Sequence, residues 1–352
     1  MSQPWIRSAR YDGLFILAPP FLALLVVMLL PASFRSSASM PLLGWVMLVL
    51  LIDVSHVYST LFRTYLDPQR RRQRWLLFWV VPALCYAAGV ALYLAGGGLL
   101  FWRVLAYLAV FHFIRQQYGF LRLYARQEAS TFRWLDTAII YYATIYPLLY
   151  WHFSPPRNFN WFIDGDFVRH DWSVGRYVAT GLYVLVLLLY LGKEIHLWLL
   201  TRNVNWPRNL LVVGTLVSWY FGIVYFNGDL AFTLLNVVSH GIPYLALVWS
   251  SGPQRQPNGK AARRGVWAGR YGLMVFLGLV VVLAYLEEGL WDGLVWREHA
   301  SVFSFFQLLP HVADSTLLAL LIPLLALPQA THYVLDGFIW RRAGQEAQKA
   351  AL

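Results

Sequence analysis

Apolar runs of about twenty residues, divided by short charged connections, recur along the whole chain. Residues 177–192 and 274–286 show the pattern most plainly, with no charged residue in either. Twenty helical residues rise far enough to cross the roughly 30 Å hydrocarbon core of a bilayer. Backbone in lipid must satisfy its own hydrogen bonds, so runs of this length are helices. The short alternating segments of a transmembrane barrel are missing.

The pattern predicts ten spans, at roughly 13–31, 41–62, 76–97, 100–121, 134–153, 177–198, 209–226, 229–250, 271–288 and 316–338. The expected architecture is an all-α polytopic membrane helix bundle forming one integral domain, 1–352. The first run is expected to be a span rather than a cleaved signal, since it is long and another span follows at once. No internal repeat of the inverted-repeat transporter kind is visible, and no Pro- or Ser-rich linker marks off a soluble domain. The longest connections are 154–176, 251–270 and 289–315.

Composition agrees. The chain is 59% hydrophobic and 13% charged, with a mean hydropathy of +0.52, which excludes an ordinary soluble domain. The net charge of +11 has a topology. With the N-terminus cytoplasmic, 21 of the 28 basic residues fall in inner segments and 5 in outer ones. The positive-inside rule then places both termini in the cytoplasm, and a bacterial inner membrane is the expected location. Acids gather outside, at Asp164, Asp166 and Asp171 and again at Glu287, Glu288, Asp292 and Glu298. The basic excess needs no nucleic acid; anionic lipid headgroups are its partner, above all for the arginines of 69–74. The 17 Trp and 21 Tyr suit interfacial belts. A single cysteine, Cys85, rules out an internal disulfide and a Cys-based zinc site. It reads as a small buried hydrophobe.

Four histidines lie inside these apolar runs: His56 (LLIDVSHVYS), His112 (LAVFHFIRQQ), His240 (LLNVVSHGIP) and His332 (LPQATHYVLD). Counted from the inner ends of their spans, their depths agree within about 6 Å. Each has polar company about one turn away: Asp53, Arg115 with Gln116, Asn236, and Asp336. Asp53 and His56 are spaced i, i+3, and His332 and Asp336 i, i+4, which puts each pair on one helix face. A carboxylate beside a ligating histidine fixes its tautomer and raises its basicity. Ser239 and Thr331 add short polar groups. Pro243 leaves the Ser239 carbonyl without its usual donor, and Pro328 is expected to bend its helix in the same way. His196 lies near the inner end of its span. His152, His170, His299 and His311 fall outside, with His311 and Asp314 as the best pair there.

Imidazole is the commonest metal ligand, and ionisable groups in a bilayer mark functional sites. Two haems at one depth would crowd each other. The chain carries no His-Glu-x-x-His, Gly-x-Ser-x-Gly or phosphate-loop motif. Iron in a non-haem site suits imidazole and carboxylate ligands and leaves positions open for oxygen and substrate. The expected function is therefore a non-haem iron membrane oxygenase, hydroxylase or desaturase of lipid metabolism, acting on a lipid-soluble substrate. His56, His112, His240 and His332 are the expected ligands. Asp53 and Asp336 support them or join them in a di-iron centre, Arg115 and Gln116 orient substrate, and Tyr118 and Tyr333 donate hydrogen bonds. An electron-donor protein is an expected partner beside the membrane lipids.

In this arrangement, single histidines on several membrane helices, the chain resembles the Brp/Blh-type carotene dioxygenases. The likeness is one of arrangement, with no stretch of sequence matched. The clustered HxxxH and HxxHH boxes of membrane desaturases are absent. The main alternative is a transporter that couples ions or protons through its His/Asp pairs. A lipid-headgroup transferase lacks a donor-binding signature. A purely structural subunit leaves the polar groups at one depth unexplained.

Overall fold

A computed structural model describes residues 3–128, 132–251 and 271–340. Every regular element among them is helical. In chain order the α-helices are α1 (Ala9–Asp12), α2 (Pro19–Leu29), α3 (Leu42–Trp45), α4 (Ser55–Ser59), α5 (Pro68–Gln73), α6 (Trp75–Tyr124), α7 (Arg133–His152), α8 (Ser173–Thr201), α9 (Trp206–Trp219), α10 (Asp229–Ser250), α11 (Gly272–Trp291), α12 (Ser315–Leu325) and α13 (Leu327–Ile339). Wider π-helical turns interrupt them at Gly13–Leu17, Val46–Val54, Tyr220–Tyr225 and Asp292–Trp296.

Among the described residues, six helices are long and apolar enough to cross a membrane, or eight if each bent pair is one span. The protein is thus a multi-pass membrane protein by the length and composition of its helices. The bent pairs turn by 47° between Leu17 and Pro19 and by 42° between Leu325 and Leu327. Pro328 does not kink a running helix, as the sequence pattern suggested. It sits in the first turn of α13, where its missing N–H costs nothing. Two expected spans fall within α6, which loses helical geometry at Gly96 and Gly97. Gly97, at φ 71 and ψ −174, occupies a region essentially reserved for glycine. The α7 helix carries Arg133, Asp136 and four tyrosines and is not among the six.

The chain divides into two compact units, residues 1–49 with 113–246 and residues 50–112 with 247–352. In the first, α7 packs on α8 and α9, and α9 on α2. Their apolar faces meet in groups such as Tyr146, Ala179 and Tyr183. This unit also buries charge. Lys193 binds Asp136, and Arg208 binds Glu128 and Glu194. The sequence count placed Lys193 and Arg208 among the inner basic residues, and the structure buries both, at 4% and 1% exposed.

In the second unit α11 packs along α4, and α13 packs beside α4. Phe78, Val81, Leu335 and Ile339 form a core here, with Cys85 half-buried against it. Arginines close the helix C-termini. Arg70 and Arg74 donate to the Ile339 and Phe338 carbonyls, both at 2.8 Å, and Arg63 donates to Ser251 at 2.8 Å. Cations belong where helix carbonyls lack partners. Two of the arginines expected at the lipid headgroups are thus committed to capping. The basic residues expected at 255–270 and 341–349 lie outside the described residues.

Candidate metal centre

The chain enters the site through the nine-residue π-helical segment Val46–Val54. Such turns are rare, and they re-aim side chains at functional sites. Here the segment delivers Asp53, whose carboxylate lies 3.6 Å from Nδ1 of His56 in α4. The i, i+3 pairing read from the sequence is present.

His112 lies on α6 and His332 on α13, each 2% exposed or less. Their outer nitrogens are both engaged. Asp336 sits 3.5 Å from Nδ1 of His112, and Thr60 Oγ1 sits 2.6 Å from Nδ1 of His332. Asp336 thus faces His112, on another helix, and not only the i, i+4 neighbour it was expected to support. Trp340 holds its second oxygen through an Nε1–H bond of 2.6 Å. The inner nitrogens converge, with Nε2 of His332 and Nε2 of His112 3.1 Å apart. The His56 ring meets His332 edge-on at 5.1 Å between centroids. Tyr333 lies against His112 at 5.1 Å.

His240 sits three residues before Pro243 in α10. The proline deprives the Ser239 carbonyl of its donor, and Gln117 of α6 supplies another while Gln116 bonds the next carbonyl. Gln116 Nε2 donates to the His240 carbonyl at 3.0 Å, and Gln117 Nε2 donates to the Ser239 carbonyl at 3.5 Å. Phe113, the residue after His112, stacks on the His240 ring with centroids 3.6 Å apart and 10° between planes. Backbone and ring of His240 are therefore both fixed.

All four histidines are buried, and their ligand atoms lie within 4.8 Å of one another. The arrangement fits a metal ion. Metal–nitrogen bonds of about 2.0–2.1 Å put neighbouring ligand nitrogens about 3.0–3.4 Å apart, and the His112–His332 distance is of that size. If each Nδ1 donates its hydrogen outward, to Asp336 and to Thr60, both Nε2 atoms present lone pairs to each other. A shared cation relieves that opposition. Imidazole suits zinc, copper, iron and nickel alike, so the donor set admits a transition metal without choosing one.

The other expected site residues are placed less centrally. Arg115 donates to the Tyr141 hydroxyl at 2.9 Å and lies over the Tyr118 ring at 5.0 Å. Gln116 is occupied through its amide nitrogen, while its buried Oε1 has no hydrogen-bond partner among the described residues. His196 packs on Phe132. His311 bonds the Val295 carbonyl, and Asp314 caps α12. Sequence reasoning passed over Thr60, although it lies four residues after His56 on the same helical path. It also left Glu287 among outer acids. Helical structure continues past Glu287 to Trp296, and the residue is 5% exposed.

Long apolar helices and a buried four-histidine cluster define the class: a multi-pass membrane protein with a candidate metal centre. No protein-family model, curated protein or solved structure matches the chain.

Proposed function

We propose that the chain is a non-haem iron membrane oxidoreductase acting on a lipid-soluble substrate. The observation that carries this reading is the convergence of four buried imidazoles, two of them with a carboxylate at Nδ1. In this reading His56, His112, His240 and His332 hold the ion. Asp53 and Asp336 orient His56 and His112, Thr60 orients His332, and Gln116 fixes the backbone of His240. When bound, iron supplies redox chemistry and oxygen activation at its open positions. Arg115, Tyr118 and Tyr333 belong to the surrounding polar shell. The aromatic and aliphatic walls favour an apolar substrate taken from lipid.

The topology that goes with this is ten spans with both termini cytoplasmic, in a bacterial inner membrane. Membrane lipids and an electron-donor protein are the partners, with no role for nucleic acid.

Metal analysis of the purified full chain tests the proposal, with each of the four histidines changed in turn to Ala. Stoichiometric iron in the parent and its loss in the variants are expected. A parent without a stoichiometric transition metal, or four variants that all keep it, would overturn the metal centre. A centre filled by zinc alone, with no oxygen consumption on reconstitution with iron, would overturn the oxygenase.

A further inference from the structure

The connection from α11 to α12 folds back onto α11. Phe306 lies against Gly289 and Gly293, and a methyl group at either glycine would collide with it. The Tyr285 ring meets those of Phe303 and Phe306, at 5.2 and 5.9 Å between centroids. Positions 285, 289 and 293 follow one another at four-residue steps, so one helical stripe carries all three contacts. Val282 extends that stripe deeper along the helix and is 54% exposed. Helix and π-helical turn together, Gly272–Trp296, are apolar and long enough to cross a membrane. An exposed apolar stripe on such a helix faces lipid. The loop therefore covers the end of a lipid-facing stripe. Tyr285 and Trp296, both partly exposed there, are residue types that settle at the headgroup level.

Two large side chains stand outward from this packing. Phe305 is 74% exposed and Leu308, three residues on, is 82% exposed. Ser301, Ser304 and His311 are exposed polar neighbours in the same connection. Neither apolar residue is free to turn inward, because the loop is stitched to the helix end. Asp292 accepts from the Glu298 and His299 N–H groups at 2.8 and 2.7 Å. Arg297 donates to the Gln307 carbonyl at 2.8 Å and to the Leu309 carbonyl. Tyr285 donates to the Val302 carbonyl at 3.1 Å, and the Phe306 and Leu309 N–H groups bond within the loop. Backbone near hydrocarbon must have its polar groups met by protein, and much of this loop meets that condition.

We propose that the loop 299–309 is an interfacial anchor. It lies in the headgroup layer at that end of α11 and inserts Phe305 and Leu308 among the acyl chains. Its partner is the lipid surface, since the apolar tip continues the lipid-facing stripe of its own helix. A small polar and apolar two-faced segment of this kind sits in the plane of the interface.

The test is a nitroxide label on Leu308→Cys in the full chain, with Cys85→Ala, reconstituted in phosphatidylcholine and phosphatidylglycerol vesicles. Collisions with oxygen should exceed those with a water-soluble nickel chelate, as they should for a label on Leu277→Cys on the exposed flank of α11. Phe305→Cys should give the same preference, and it serves if the first variant folds poorly. A preference for the nickel chelate would put the loop in water and overturn the anchor. Exclusion of both reagents would show protein over the tip, a partner or a second copy, and would overturn it equally.

Discussion

His112 and His332, 220 residues apart in sequence, point Nε2 at Nε2 across 3.1 Å, while Asp336 and Thr60 occupy the far sides of the rings. The far-side contacts fix which nitrogen faces inward. Thr60→Val keeps the side-chain shape and deletes the hydroxyl, and Asp336→Asn removes the charge. Each is expected to weaken metal binding about 10- to 100-fold, as loss of a partner behind a ligand generally does. Competition against a chelator of known affinity reads this directly. His196→Ala, outside the four-histidine group, should bind as the parent does.

Gln116 should matter for stability before it matters for chemistry. Its Nε2–H bond ties the His240 carbonyl to α6. Gln116→Leu is expected to cost about 0.5–1.5 kcal/mol, the usual net worth of one hydrogen bond. Thermal unfolding in detergent checks it. Unchanged melting would show that the bond adds nothing to stability.

The ion network gives a contrast between single and double changes. Lys193→Met alone leaves the buried Asp136 with only the longer contact to Arg208, at 3.8 Å, and up to about 3–5 kcal/mol of destabilisation is expected. Lys193→Met with Asp136→Leu removes both charges and should recover much of that loss, because apolar replacements of a buried pair are often tolerated. The folded yield of the two variants, compared by gel filtration, is the measurement.

Two glycines of α6 should respond in opposite senses to alanine. Gly97 has open space around it, so any effect comes from its backbone angles. Alanine there should cost about 1–3 kcal/mol. Gly119 is helical with nothing within 4 Å, and alanine should stabilise by about 0.5–1 kcal/mol. Melting curves separate the two.

Much of the helical pattern was legible, because period and length are local properties. Each expected span has a helix over it, including the α6 segments divided near residue 97. The shared depth of the four histidines was legible for the same reason. Their convergence was not, since nothing along one helix says which neighbour it meets. The same gap explains Asp336, whose i, i+4 spacing pointed to His332 while packing brings His112 to it. Glu287 was hidden by a boundary. Helical geometry carried a few residues further turns an apparent surface acid into a buried one. Charge counting by segment likewise says nothing of the burial of Lys193 and Arg208, because it does not see partners on adjacent helices.

The pairing of Lys193 with Asp136 also bears on biogenesis. A lone charge on an inserting helix is costly, up to about 2.5–3.5 kcal/mol at its centre and less toward its ends. Neither α7 with Asp136 nor α8 with Lys193 and Glu194 is free of that cost alone. Joined as a hairpin, they match Asp136 with Lys193 and leave Glu194 for the Arg208 of α9. The salt bridge therefore favours delivery of α7 and α8 to the bilayer as one unit, with α9 and its Arg208 closing the group behind them.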